Sequence, residues 1–263
     1  MVDFAVPVSL PFKLTESSVV AVIPARYQST RLPAKSLADI AGRPMIEHVY
    51  RRAAAARMVD GVIVATDDER IARAVEGFGG TAWMTRADHL TGTDRLAEVA
   101  DSLVCRIIVN VQGDEPMLDP AVIDEVVAPL LNDPGLEMTT ACRPLRDGGE
   151  FTNPHVVKVV RDERGRALYF SRAPVPWPIA TPDLAPTAAR VHLGLYAYRR
   201  DVLRRLASLP PLPLEQIEAL EQLRALAYGI GIQVVETDHD SVGVDTAEDL
   251  AHVRQRMLAA TRT

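Results

Sequence analysis

Cysteine is almost missing: Cys105 and Cys142 are the two that the 263 residues contain. They form no C-x-x-C pair, and two thiols in a chain this long make no disulfide framework, so a reducing cytoplasm is the expected home. No apolar run reaches the roughly 20 residues of a membrane-spanning helix. Residues 1–17 lack a basic stretch followed by a long apolar core and read as a ragged N-terminal extension rather than a secretory signal. Neither G-x-x-x-x-G-K-[ST] nor G-x-G-x-x-G occurs, which sets aside a P-loop and a hydride-transferring dinucleotide enzyme. Internal repeats and low-complexity segments are absent too. So is any excess of positive charge: the formal balance is −6, which argues against broad binding to nucleic acid or to a membrane surface. An anionic ligand must then be met by a local site.

Nearly half of the residues are apolar, and the length suits one sizeable α/β domain with a proper core, alone or with a smaller insertion. The stretch that organises the chain is residues 19–35, VVAVIPARYQSTRLPAK. Its first five residues are continuous, aliphatic and mostly β-branched, the pattern of a strand buried on both faces. Pro24 ends the run, and Arg26, Arg31 and Lys35 follow with Ser29 and Thr30 among them. Three cations so close together repel one another unless an anion lies between them, and a triphosphate fits that need. A solvated basic loop is the other reading. Position after a buried first strand favours the phosphate, because ligands of open α/β sheets bind at the C-terminal ends of strands.

Downstream, the pattern alternates as in βαβ units. A helix is predicted over 45–57, a strand over 62–65, a helix over 69–78, a short strand over 81–84, a helix over 96–103 and a strand over 107–111. A helix over 120–131 follows. Between 138 and 200 the texture changes to short β-branched and aromatic pieces, clearest at 156–160, 167–171 and 193–198, which suggests an inserted β-rich region. Residues 173–189, with five prolines, read as an irregular loop or a lid. A helix over 214–228, a strand over 232–236 and a helix over 246–260 complete the chain. The expected architecture is one domain, residues 18–263, with 138–200 inserted.

Several polar residues fall where such a sheet would present them. Asp114 follows the strand at 107–111, where it serves either as a magnesium ligand or as a turn residue before Pro116; Gly113 would let the backbone approach a ligand. Asp245 precedes the last helix, and Asp245-Thr246-Ala247-Glu248 has the form of a helix cap, as does Thr246 to Asp249 in a second register. Capping explains Asp245 without a metal. Thr91-Gly92-Thr93-Asp94-Arg95 can read a base or a ribose, or can simply cap the next helix through Asp94. His192 and Tyr196 fall on one face of a strand, where both can meet a hydroxylated ligand or be structural. Glu215, Glu218, Glu221 and Gln222 share one predicted helix and are mostly expected on its wet face.

The blocks IPARYQSTRLPAKSLADIAGRPMIEHV, VIVATDD, TGTDRLAEV, VNVQGDEP, NPHVVKVV, ALYFSRAPVP, HLGLYAYR, LEQIEALEQLRAL and GVDTAEDL closely resemble, in order, the 3-deoxy-manno-octulosonate (Kdo) cytidylyltransferases. The resemblance runs from Val19 to the C-terminus. It implies an α/β fold, a Rossmann-like, mostly parallel sheet flanked by helices of the nucleotide-diphospho-sugar transferase type. The implied reaction is CTP plus Kdo giving CMP-Kdo and pyrophosphate, with Mg2+, for lipopolysaccharide biosynthesis. By resemblance, Ala25, Arg26, Arg31 and Lys35 would hold the triphosphate, and Thr91, Gly92 and Arg95 the cytidine. Asp114 and Asp245 would bind magnesium, which reverses the capping preference at Asp245, and these two with Arg26 and Lys35 would carry catalysis. Gln112, Arg172, His192, Tyr196, Glu221 and Gln222 match the sugar pocket, Gln112 and Asp114 also touching nucleotide and Arg172 facing the sugar carboxylate. A homodimer built through the inserted β region is implied as well. The alternatives are an enzyme for a related acidic sugar, 8-amino-Kdo or a sialic acid, and a non-catalytic nucleotide-binding module. Ala34, Ser36, Val191 and Trp177-Pro178-Ile179 depart from the family pattern.

Overall fold

Val19–Ala25 forms the first strand, β1, and its side chains alternate between two apolar layers. Val19, Ala21 and Ile23 enter one core and Val20 and Val22 the other, so the strand is apolar throughout because both of its faces are covered. Each fully buried aliphatic side chain contributes roughly 1.5–3 kcal/mol relative to exposure. The computed structural model describes residues 10–28, 32–89, 91–179 and 188–260.

A 3₁₀ turn, Lys35–Leu37, is followed by a two-stranded ribbon, β2 (Asp39–Ile40) and β3 (Arg43–Pro44). Pro44 sets the N-terminus of α1 (Met45–Ala54), whose Ile46, Val49 and Ala53 pack under the sheet. Next come β4 (Gly61–Thr66), α2 (Glu69–Gly77), capped by Asp68, and β5 (Ala82–Met84). The chain then crosses to the other side of β1 through α3 (Gly92–Ser102) into β6 (Ile107–Asn110). Asp119 caps α4 (Pro120–Asn132), with Pro120 in its first turn.

The remaining elements are β7 (Met138–Pro144), α5 (Gly148–Thr152), β8 (Lys158–Arg161), β9 (Ala167–Ser171), β10 (Arg190–Arg199), α6 (Arg200–Ser208), α7 (Pro213–Glu218), α8 (Gln222–Ala227), β11 (Ile232–Glu236) and α9 (Ala247–Ala260). The main sheet has the order β11-β7-β10-β6-β1-β4-β5, and β10 is the strand that runs against the others. Helices α1, α2 and α4 cover one face; α3, α6 and α8 cover the other.

Residues 138–200 are not set apart from this sheet. Strands β7 and β10 are central members of it, and what stands off is the β8–β9 hairpin. The cause is strand length: β10 has ten residues, pairs with β6 through Tyr196–Arg199, and reaches beyond it to pair with β8 at Arg190 and Val191. A second difference is the helix predicted over 214–228, which is split. Ala219 adopts a left-handed conformation, φ 50° and ψ 50°, and makes an elbow between α7 and α8. The expected wet face dissolves with it: Glu215 and Gln222 are buried, and Glu215 pairs with Arg224.

Candidate active site

Strand order reverses at β1: the chain moves outward to β4 and β5, then returns to lay β6 on the opposite side. Loops leaving the C-terminal ends of β1 and β6 therefore diverge and leave a crevice. Two cavities open there, of about 350 Å³ and about 730 Å³. Gly92, Gln112, Asp114, Glu221 and Asp245 line both and so form the wall where they meet. Gly113 also has a packing role at this edge: a Cβ there would lie 3.0 Å from the Pro24 carbonyl oxygen, so the small residue lets the two strand ends come together.

At that shared wall the Lys35 ammonium donates to Asp114 Oδ2 at 2.6 Å and to Asp245 Oδ1 at 3.1 Å. One cationic nitrogen thus touches both carboxylates, although the three residues come from three loops. Asp245 is not the helix cap, because the second capping register is the one used: Thr246 and Asp249 exchange hydrogen bonds to close the N-terminus of α9. A strap without helix or strand, residues 237–246, carries Asp245 into place. Its fastenings are Thr237 N to Cys142 O, Asp240 to Arg143, Ser241 Oγ to Glu115 Oε2 and Val244 N to Asp114 O. Val244 also packs in a small apolar cluster with Ile40, Met45, Leu250 and Val253. Burial, reinforced by neighbouring Asp114, pushes the Glu115 carboxyl up to about 7.

The smaller cavity collects Ala25, Arg26, Lys35, Thr91, Gly92, Arg95, Gln112 and Asp114. Arg31 lies outside the described residues. Thr91 is the N-cap of α3, with Asp94 answering in a reciprocal box, so the residue whose side chain caps the helix is Thr91 rather than Asp94 alone. The first turn of α3 is thereby aimed at the cavity. Arg95 is buried, held by Thr85 and lying 3.4 Å from Asp67. His89 lines the same cavity, its ring held by Glu98; nothing in the sequence pattern singled it out.

The larger cavity collects Gln112, Arg172, His192, Tyr196, Glu221 and Gln222. His192 and Tyr196 do share a face, their rings 5.4 Å apart. Burial drives the His192 imidazole down to about 3, so it is neutral, and its Nε2 lies 3.0 Å from Thr140 Oγ1. Burial raises the Tyr196 phenol well above its ordinary value. Glu221 accepts from Thr93 Oγ1 at 2.6 Å. Among the described residues Gln222 Nε2 is buried with no hydrogen-bond partner, a donor unspent there. The Arg172 guanidinium is placed differently from a simple ligand cation: it donates to Glu218 O at 2.8 Å, Pro154 O at 3.1 Å and Ala219 O at 3.4 Å, clamping the elbow that precedes Glu221 and Gln222. Arg143, Arg224 and Tyr198 also line this cavity and were not singled out by sequence, because each reads locally as an ordinary strand or helix residue.

Among the described residues no group of three or more His, Cys, Asp or Glu is arranged to hold a metal. Two carboxylates reached by one cation are nevertheless a sufficient protein set for magnesium, which keeps several waters and takes other oxygens from phosphate. The donor chemistry at Asp114 and Asp245 fits that ion.

Comparison with known proteins agrees on one family. The sequence model described as Cytidylyltransferase matches residues 20–238. The chain is 56% identical over 246 residues to the 3-deoxy-manno-octulosonate cytidylyltransferase of Syntrophotalea carbinolica, covering 91% of this chain and 98% of that one. It is 53% identical over 248 residues to the enzyme of the same name from Geobacter sulfurreducens, covering 91% and 99%. Among solved structures, CMP:2-keto-3-deoxy-manno-octonic acid synthetase complexed with CTP superposes with a TM-score of 0.87 at 47% identity, over 93% of this chain and 100% of that one. A cytidylyltransferase from Leptospira borgpetersenii, 19% identical with a TM-score of 0.64 over 92% and 87%, shares the fold.

Proposed function

The chain belongs to the 3-deoxy-manno-octulosonate cytidylyltransferase family, and from that premise we propose how its crevice activates the sugar. It is a nucleotidyltransferase that takes CTP and Kdo to CMP-Kdo and pyrophosphate. The anomeric hydroxyl oxygen forms a bond to the α-phosphorus as the bond to the β-phosphate oxygen breaks. Pyrophosphate leaves with that electron pair, and the hydroxyl proton is lost to water. Such a transfer asks mainly for in-line placement and for neutralisation of charge at phosphorus.

The observation that carries this reading is the shared wall. Asp114, Asp245 and Lys35 stand where the smaller and larger cavities join, which is where an α-phosphorus held from one side would meet a hydroxyl held from the other. Arg26 and Lys35 bind the triphosphate, and Arg31 belongs to the same loop. Thr91, Gly92 and Arg95 meet the cytidine. Gln112, His192, Tyr196, Glu221 and Gln222 hold the sugar hydroxyls, with the unspent Gln222 amide as one donor, and Arg172 faces the sugar carboxylate. Asp114 and Asp245 would hold Mg2+, which supplies charge neutralisation at the phosphate oxygens and acidifies a hydroxyl beside it. His192, neutral and buried, is a contact rather than a base.

The product's use in lipopolysaccharide biosynthesis, a cytoplasmic location and a homodimer belong to the same reading. Among the described residues no helix is long and apolar enough to cross a membrane. Exposed Leu168, Trp177 and Ile179 supply apolar surface in the 138–200 region for a second copy.

The test is Asp114→Asn with pyrophosphate release as readout. Turnover should fall by about 10²–10³-fold or more, while CTP binding by calorimetry persists in part; wild-type turnover would remove the assignment. A panel of acidic sugars in the same assay should rank Kdo above 8-amino-Kdo and sialic acid.

A further inference from the structure

Lys158 is one of three lysines in the chain, and no part of it is exposed. Its ammonium donates to Asn153 O at 2.9 Å, Val156 O at 2.7 Å and Arg172 O at 2.6 Å. Three acceptors use all three N–H bonds of a charged ammonium, so the group is held as a cation, although burial pulls its pKa down. Carbonyl oxygens solvate that charge without cancelling it. The carboxylate whose field reaches it is Glu218, which is already shared: it accepts from Ser171 Oγ at 2.6 Å and from Arg172 N at 2.9 Å. Among the described residues, Lys158 and Arg172 thus share the Glu218 carboxylate between them.

The other arginines of the larger cavity are matched. Arg143 pairs with Glu150 and Asp240, and Arg224 with Glu215. Among the described residues, Lys158 and Arg172 are therefore the neighbouring cations whose charged groups donate to carbonyl oxygens rather than to a carboxylate of their own. The same ammonium fixes both sides of the wall, because Asn153 and Val156 flank His155, which lines the cavity, and Arg172 is the residue expected to face the sugar acid.

Resting on the reading of Arg172 given above, we propose that Lys158 is a positioning residue for the sugar carboxylate. Its buried ammonium pins the Arg172 backbone and the 153–156 turn, and it keeps behind them an unbalanced charge that favours a carboxylated sugar over an uncharged ester. A carboxylate entering beside Arg172 completes the local balance of charge. A neutral ester of the same shape does not. Selection for the acid is thus built partly from a residue that need not touch the ligand.

The experiment compares calorimetric binding of Kdo and of its C1 methyl ester in the presence of a non-transferable CTP analogue. Lys158→Met should reduce the acid-over-ester preference by about tenfold, the size expected when a hydrogen-bonded charge is lost, with KM for CTP within about twofold of wild type. Lys158→Arg, which keeps the charge, should keep most of the preference. If Lys158→Met weakens acid and ester equally, the residue is only structural and the proposal is overturned. Should that variant fail to fold, the wild-type chain labelled with ¹⁵N-lysine answers the question: the buried ammonium resonance should shift with Kdo and not with the ester, and equal responses overturn the proposal. Arg172→Ala separates the two layers. If it retains full preference for the acid, the Arg172 reading fails; if it loses the preference while Lys158→Met keeps it, only the role of Lys158 fails.

Discussion

Ala34 sits in the left-handed region, φ 55° and ψ 30°, immediately before Lys35, where its Cβ crowds the following carbonyl. The backbone there is fixed by the Ala34 N to Tyr27 O and Leu37 N to Ala34 O hydrogen bonds, so the residue cannot relax without moving the lysine that joins Asp114 to Asp245. Ala34→Gly should therefore raise stability by roughly 0.5–1 kcal/mol, read as a higher denaturation midpoint at unchanged m-value. That Ala34 departs from the pattern of the family it resembles was visible in sequence, but the sign of φ was not. A second residue-scale expectation concerns the thiols. Burial pushes Cys105 and Cys142 up to about 11, so at pH 8 little thiolate is present and neither is accessible. Native protein should leave both unreacted with a thiol-titrating disulfide reagent, and denatured protein should give two equivalents; fast reaction of the native form would contradict the burial. Asp245 shows the limit of reading single residues: two capping registers fit the sequence, and the structure uses Thr246 with Asp249 while Lys35 donates to the Asp245 carboxylate.

Among the elements, the strap at 237–246 contributes most to the site while having no regular structure of its own. Its position depends on side chains from other elements: Arg143 at the end of β7 binds Asp240 while gripping Glu150 on α5, and Ser241 binds Glu115. Arg143→Ala should leave Asp240 to Arg146 alone, loosening the strap and letting Asp245 drift from Asp114. The expected result is a rise of about 10–100-fold in the magnesium requirement for pyrophosphate release, with the far-ultraviolet circular dichroism unchanged. An unaltered magnesium requirement would show that the strap is held without Arg143. The elbow at Ala219 is the other element whose shape was not readable. Periodicity across 214–228 is helical on both sides of it, and at the break the Arg172 guanidinium donates to the Glu218 and Ala219 carbonyl oxygens. A pattern of apolar spacing carries no mark of a clamp that comes from a different strand.

At the scale of the molecule, a sheet whose order reverses at β1 brings two loop systems to one edge and makes a divided crevice between them. If the proposed dimer forms through the 138–200 region, light scattering after gel filtration should give twice the 28.7 kDa chain mass, and Leu168→Glu, at a residue 62% exposed, should shift the mass toward the monomer; a wild-type monomer at micromolar concentration would refute the dimer. From β1 to α4 the order of the main strands and helices was determined by the sequence alone, because a doubly buried strand such as β1 and an amphipathic helix such as α1 are written in local spacing. So were the residues offered at the strand ends, since loop chemistry is local too. Which of them meet was decided by tertiary structure. Lys35 reaches partners 79 and 210 residues away, and such contacts depend on strand order, on where β10 overruns β6, and on the fastening of one unstructured strap, all of them set by packing between distant segments rather than by any neighbour in the chain.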